Sequence, residues 1–210
     1  MTDDKSEAED DAAVIKADKN SVLTIKGDGT LNVNAVNNGI ESDGSIVILG
    51  GIINIEAGND GIDADPVYEL DDVFGKQASF ASGTIKIEGG NITISAGDDA
   101  IKAASTLEIG IKNASGPDIN ITRSNEGLEA AQIHLYSGKG TIRSSDDGIN
   151  AAYKRFTSTD EADGGYQYAD NLYRYVNADG DGLDSNGEIK MNGGNITVFG
   201  AEGNDDAAID

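Results

Sequence analysis

Acidic residues recur at one fixed point of a five-residue motif, and any chemistry in this chain begins there. The motif reads acid, Gly or Ala, Ile or Leu, polar, small. It occurs as Asp60-Gly61-Ile62-Asp63-Ala64, Asp99-Ala100-Ile101-Lys102-Ala103 and Asp147-Gly148-Ile149-Asn150-Ala151, and again as Asp181-Gly182-Leu183-Asp184-Ser185. Variants start at Asn38 and Glu126, and a last one starts at Asp206. If such motifs stack in β structure, equivalent carboxylates lie about 4.8 Å apart. Like charges at that distance repel by about 1 kcal/mol in water, and by several times more where partly buried. Calcium takes carboxylate and carbonyl oxygens at about 2.3–2.6 Å, so an ion shared between neighbouring repeats relieves the repulsion. The candidate metal ligands are Asp60, Asp98, Asp99, Asp146, Asp147 and Asp181, with the outward Asp63, Asp65 and Asp184 supplying further oxygens. Turn chemistry accounts for any single Asp, because Asp and Asn bond their own backbone at corners. Acids in pairs, repeated through the chain, favour the metal.

A second group is aromatic and cationic. Tyr153, Lys154, Arg155, Tyr166, Tyr168, Tyr173, Arg174 and Tyr175 fall within about 152–178, which holds five of the seven tyrosines. Tyrosine rings offer flat apolar platforms to sugar faces, and guanidinium groups hold carboxylates bidentately. The competing reading is that these rings only pack a loop onto the body of the protein. Asn177 to Glu188 approaches an EF-hand loop, but Leu183 fits a core position better and no helices flank it. His134 alternates with Ile133 and Leu135 and so faces outward. No Ser-His-Asp or Cys-His set assembles.

The elements that must hold these residues are short strands. Gly44 to Ala64 recurs nearly in register as Gly83 to Ala103, and its first part as Gly187 to Phe199. Each copy carries apolar alternations such as Ile46 and Ile48, then Ile53 and Ile55, then Ile62 and Ala64. Period two reads as half-buried strand, and Gly-Gly or Gly-Asn-Asp-Gly between the runs reads as tight corners. Three strands in about 22 residues make one triangular coil of a parallel β-helix, an all-β solenoid. The aliphatic motif positions are 22, 39, 27, 21, 34 and 26 residues apart from Ile40 onward. The two longest gaps place insertions at about 66–82 and 152–178 of a domain covering 11–210, behind an acidic leader at 1–10.

The chain has 210 residues, 38 acidic against 15 basic, for a formal charge of −23. That balance argues against nucleic acid and anionic membrane and favours divalent cations or basic partners. No apolar run approaches the roughly 20 residues of a membrane span. Cysteine is absent, and MTDDKSEAEDD has neither the basic nor the apolar region of a signal peptide. The motif breaks off at Asp210, so end-to-end self-association at that incomplete coil is expected as an option.

The unit I-x-I-x-GG-x-I-x-I-x-A-G-x-D-G-I-x-A, over about 12–210 and best at 37–104 and 181–200, resembles a bacterial carbohydrate-binding β-helix family. That family was formerly a domain of unknown function and is similar in architecture to pectate lyases. The resemblance implies a single-stranded, right-handed parallel β-helix with three short strands per coil. It also implies a secreted or surface-anchored protein, calcium at acidic corners, and binding of cellulose or an acidic polysaccharide such as polygalacturonate. The matching corner acids are Asp60, Asp99, Asp147 and Asp181, while Asn38 and Glu126 depart from the pattern. The leading expectation is a non-catalytic, calcium-containing polysaccharide-binding module. The rival is a calcium-dependent lyase acting on uronates, with Lys102, Lys154, Arg155 or Arg174 as base. A repeat stalk without ligand is the third.

Overall fold

The computed structural model describes residues 12–65, 70–71, 75–76, 83–151, 166–169, 172–186, 188–192, 194–201 and 207–210. Alternation in sequence becomes alternation in burial. Ile46 and Ile48 are buried between half-exposed Ser45 and Val47, and Ile53, Ile55 and Ala57 are buried between exposed neighbours. Strands of this kind pair in parallel with their equivalents in the next repeat. Ile53 aligns with Leu31 on one side and Ile92 on the other, and Ile92 in turn with Ile119.

Among the described residues, these pairings build a twelve-stranded sheet and a seven-stranded sheet, both parallel, plus a small antiparallel pair, Leu70–Asp71 with Gly75–Lys76. The expected single-stranded, right-handed parallel β-helix with three short strands per coil is corrected by this sheet order. Two of the three anticipated ladders are one sheet, because Ile101–Ile109 and Leu128–Leu135 each run unbroken through the place expected for a corner. The physical reason is local. Ala103-Ala104-Ser105-Thr106 lacks a glycine, proline or Asn-Gly turn, so the strand continues and absorbs its surplus as a register shift between Ala103 and Thr106. The result is two many-stranded sheets in a sandwich-like arrangement with the aliphatic rows between them.

Those rows are long. Ile40, Ile62, Ile101, Leu128, Ile149 and Leu183 follow one another in register and are no more than 2% exposed. A second row runs Ile46, Ile85, Leu107, Ile133. Each buried Ile or Leu is worth about 1.5–3 kcal/mol relative to an exposed one. Glycine at the motif's second position is required by close approach. A Cβ on Gly61 would sit 2.6 Å from the Ala100 carbonyl oxygen and 2.7 Å from Ile94. The Gly61 amide donates to the Asp99 carbonyl at 2.9 Å, so the corner hydrogen-bonds directly to its neighbour.

The region expected as an insertion at 152–178 divides. Tyr166–Ala169 pairs with Gln132–Leu135 and with Glu188–Met191. Leu172–Ala178 pairs with Gly138–Ser144 and with Gly194–Phe199. Both are ladder strands. Tyr153, Lys154 and Arg155 lie outside the described residues, as does most of 66–82.

Candidate functional site

The corner carboxylates have structural employment. Asp60 Oδ1 accepts the Asp99 amide at 3.0 Å, and Asp147 Oδ1 accepts the Asp181 amide at 2.8 Å. Asn38 Oδ1 accepts the Asp60 amide at 3.2 Å in the same way, and Asp181 Oδ1 accepts the Ala207 amide. Each of these four side chains thus satisfies a backbone donor in the next repeat. That explains the Asp/Asn preference without a metal, since either side chain brings the accepting oxygen.

Acids nonetheless cluster around the corners. Ligand atoms of Asp60, Asp98 and Asp99 lie within 4.8 Å of one another, as do those of Asp99, Glu126 and Glu129, and of Asp181, Asp184 and Asp210. Of the expected ligands, Asp60, Asp98, Asp99, Asp181 and Asp184 are therefore brought together. Asp63, Asp65, Asp146 and Asp147 belong to none of the three groups. Glu129 and Asp210 were not anticipated. Glu129 shares the register row of Asp63 and Asp184, and that equivalence was the available signal.

This row is charged at six of its seven positions. It runs Lys16, Glu41, Asp63, Lys102, Glu129, Asn150, Asp184. Lys16 Nζ meets Glu41 at 2.6 Å, and Lys102 Nζ meets Asp99 at 2.7 Å and Glu129 at 3.2 Å. Asn150 donates to Glu126 at 3.0 Å. Asp63, expected to face outward, is buried at 7% exposure, and its Oδ1 has no hydrogen-bond partner. Burial first, then Asp60 and Asp65, push its carboxyl up to about 8. Burial likewise raises Glu126 to about 8, reinforced by Glu129 and Asp99. Asp60 and Asp147 rise to about 6 from the same cause. Burial pulls the Lys102 ammonium down, but Asp99, Glu129 and Asp60 more than offset it and hold the group above the ordinary lysine range. A lysine so held keeps its proton at neutral pH and gives no lead for the base a uronate lyase needs.

A set of clustered carboxylate oxygens fits a hard cation such as calcium. Asp60, Asp98 and Asp99 are the residues that would hold it, next to Asp63. A cation there would supply positive charge to carboxylates that burial otherwise drives to protonate.

The seven-stranded sheet presents a different surface. Asn32, Asn54, Thr93, Asn120, Thr141, Tyr175 and Thr197 align strand by strand. All seven are exposed or half-buried. Asn54 donates to Asn32 at 2.8 Å, and the Thr141 hydroxyl to Asn120 at 3.2 Å, so the row is pre-oriented. A shallow depression of about 440 Å³ opens over it, lined by Asn32, Asn54, Glu56, Thr93, Ser95 and Thr122 among others. Toward one end, the Tyr175 and Phe199 rings lie 5.4 Å apart at 47°, and both are about half exposed. Of the expected sugar-binding residues, Tyr173, Arg174 and Tyr175 share a strand of this sheet, while Tyr166 and Tyr168 belong to the twelve-stranded sheet. Phe199 and the Asn/Thr row were missed. Their signal was the outward half of the very alternation that revealed the core. On the other sheet His134 stacks on Tyr136 at 5.8 Å, and Lys112 Nζ lies 4.9 Å above the Tyr136 ring.

No helix among the described residues is long and apolar enough to cross a membrane. Comparison with curated proteins and with solved structures found no match. A family model described as "carbohydrate-binding domain-containing protein" matches residues 1–166. With well over half of its length matched, the chain belongs to the carbohydrate-binding domain-containing family.

Proposed function

We propose that this protein binds polysaccharide along the outer face of its seven-stranded sheet. One observation carries the reading: the in-register row from Asn32 to Thr197, which sets one hydrogen-bonding or aromatic side chain on each of seven strands. At β spacing the row spans about 29 Å, the scale of several sugars rather than one. Asn and Thr donate to and accept from hydroxyls, and Tyr175 with Phe199 offers a stacking platform. The ligand class is cell-wall polysaccharide, acidic of the polygalacturonate type or cellulose, met outside the cell. Calcium at Asp60, Asp98 and Asp99 stiffens the adjoining corner. The supports for calcium are the oxygen set and the raised carboxylates around it.

Binding isotherms on cellulose and on polygalacturonate test the site. Tyr175→Ala should weaken binding about tenfold, or about 1.4 kcal/mol, with the melting temperature nearly unchanged because the ring is half exposed. If Tyr175→Ala and Phe199→Ala both bind as tightly as the parent, the glycan does not lie on this face.

A further inference from the structure

Cations are scarce in this chain, and several of those in the structure are neutralised. Lys16, Lys86, Lys102, Lys139 and Lys190 each meet a carboxylate between 2.6 and 3.1 Å. Arg123 and Arg143 are not paired in this way. They are two of the four arginines, in a protein of formal charge −23. Both side chains are exposed, and among the described residues neither guanidinium meets a carboxylate. Arg123 Nε donates only to the Ser95 hydroxyl, at 3.4 Å, which leaves its terminal nitrogens unused.

The two arginines stand together. Ser124, next to Arg123, donates its hydroxyl to the Arg143 carbonyl at 3.3 Å, so their strands are neighbours. Thr122, Arg123, Ser124, Arg143, Ser144 and Ser145 line one depression of about 290 Å³. Thr122 also lines the larger depression over Asn54 and Thr93, so the two depressions adjoin at that residue. Two guanidinium groups on adjacent strands repel one another unless something anionic sits between them. Among the described residues no carboxylate pairs with either guanidinium, which leaves that position to a ligand.

We propose that Arg123 and Arg143 form an oxyanion subsite of the polysaccharide groove, taking a carboxylate carried on the sugar chain. The proposal rests on the polysaccharide reading above and deepens it. A guanidinium fork matches a planar carboxylate with two parallel N–H···O bonds, and two forks on adjacent strands close on it from both sides. The serine hydroxyls around them are small enough to leave room for the sugar ring. The Asn/Thr row then reads sugar hydroxyls, and the arginine pair reads the acid that uronates carry and cellulose lacks. A sulfate ester offers the same charge in tetrahedral form, so the test separates the two.

The experiment compares the full chain with R123Q/R143Q and R123K/R143K on polygalacturonate, on a sulfated glucan and on cellulose. The expected result is a loss of at least about tenfold on polygalacturonate for the Gln pair, with cellulose binding held within about twofold. The Lys pair, which keeps charge but lacks the fork, should recover only part of that loss. Melting temperatures should coincide, because both side chains are exposed. Parental affinity of R123Q/R143Q for polygalacturonate overturns the subsite. Stronger arginine-dependent binding of the sulfated glucan than of polygalacturonate overturns its assignment to carboxylate. A parent that binds cellulose but not polygalacturonate overturns this inference and spares the proposed function. A parent that binds none of the three overturns both.

Discussion

Asp63 is the residue at which charge and packing conflict most. Facing it in register are Glu41, already held by Lys16 and Asn38, and Lys102, which turns to Asp99 and Glu129. Asp60 and Asp65 stand nearby on its own segment and raise it further. Its carboxyl is raised from 3.8 to about 8, so the folded chain keeps a proton that the unfolded chain loses near pH 4. This contribution is therefore complete below about pH 4 and is lost as pH rises toward about 8, at up to about 1.4 kcal/mol per pH unit. Without metal, melting temperature should fall between pH 5 and 8. Asp63→Asn, which removes the charge, should flatten that slope and raise the melting temperature at pH 8. Millimolar calcium should stabilise the parent at pH 8 and much less at pH 5, where more of the acids are protonated. Melting curves that are flat with pH and indifferent to calcium would show the corner acids to be backbone acceptors alone. The sequence made the acids of this corner legible, since their motif repeats. It hid the burial of Asp63, because alternation assigned it outward whereas all of Ile62–Ala64 is covered.

At the scale of elements, strand cores were readable and strand continuity was not. Ile46, Ile53, Ile62, Ile85, Ile92 and Ile101 are fully buried, as their spacing implies. Ile101→Asp should prevent folding, for it would place an unpaired charge in an aliphatic row. Gly61→Ala is the subtler test. The added methyl would press on the Ala100 carbonyl, whereas Gly27 has open space around it. Circular-dichroism melts should show Gly61→Ala losing more than about 1 kcal/mol. Gly29→Ala, also open and without a left-handed backbone, should be near neutral. Equal losses would mean that repeats approach less closely at the corners. Within the expected insertion at 152–178, Tyr166–Ala169 and Leu172–Ala178 are ladder strands whose tyrosines stand in register with Gln132, His134, Lys139 and Thr141. Tyrosine is a strong strand former, and composition there hid a ladder that pairing makes plain.

For the whole molecule, all-β character and parallel pairing follow from glycine punctuation and period two. The merging of two ladders into one twelve-stranded sheet does not, since it depends on how four residues, Ala103 to Thr106, turn or fail to turn. Function divides the same way. The aliphatic half of each strand revealed the core, while the polar half, which carries the proposed glycan face, looked like ordinary solvated surface until register aligned it. Hydroxyl-radical footprinting with and without bound polysaccharide puts this face to the test in one measurement. Tyr175 and Phe199 should be protected on binding, while His134 and Met191 on the other sheet, and Tyr136 just beyond it, should oxidise as in the free protein. Protection of Tyr136 and His134 with Tyr175 and Phe199 unchanged would contradict the account.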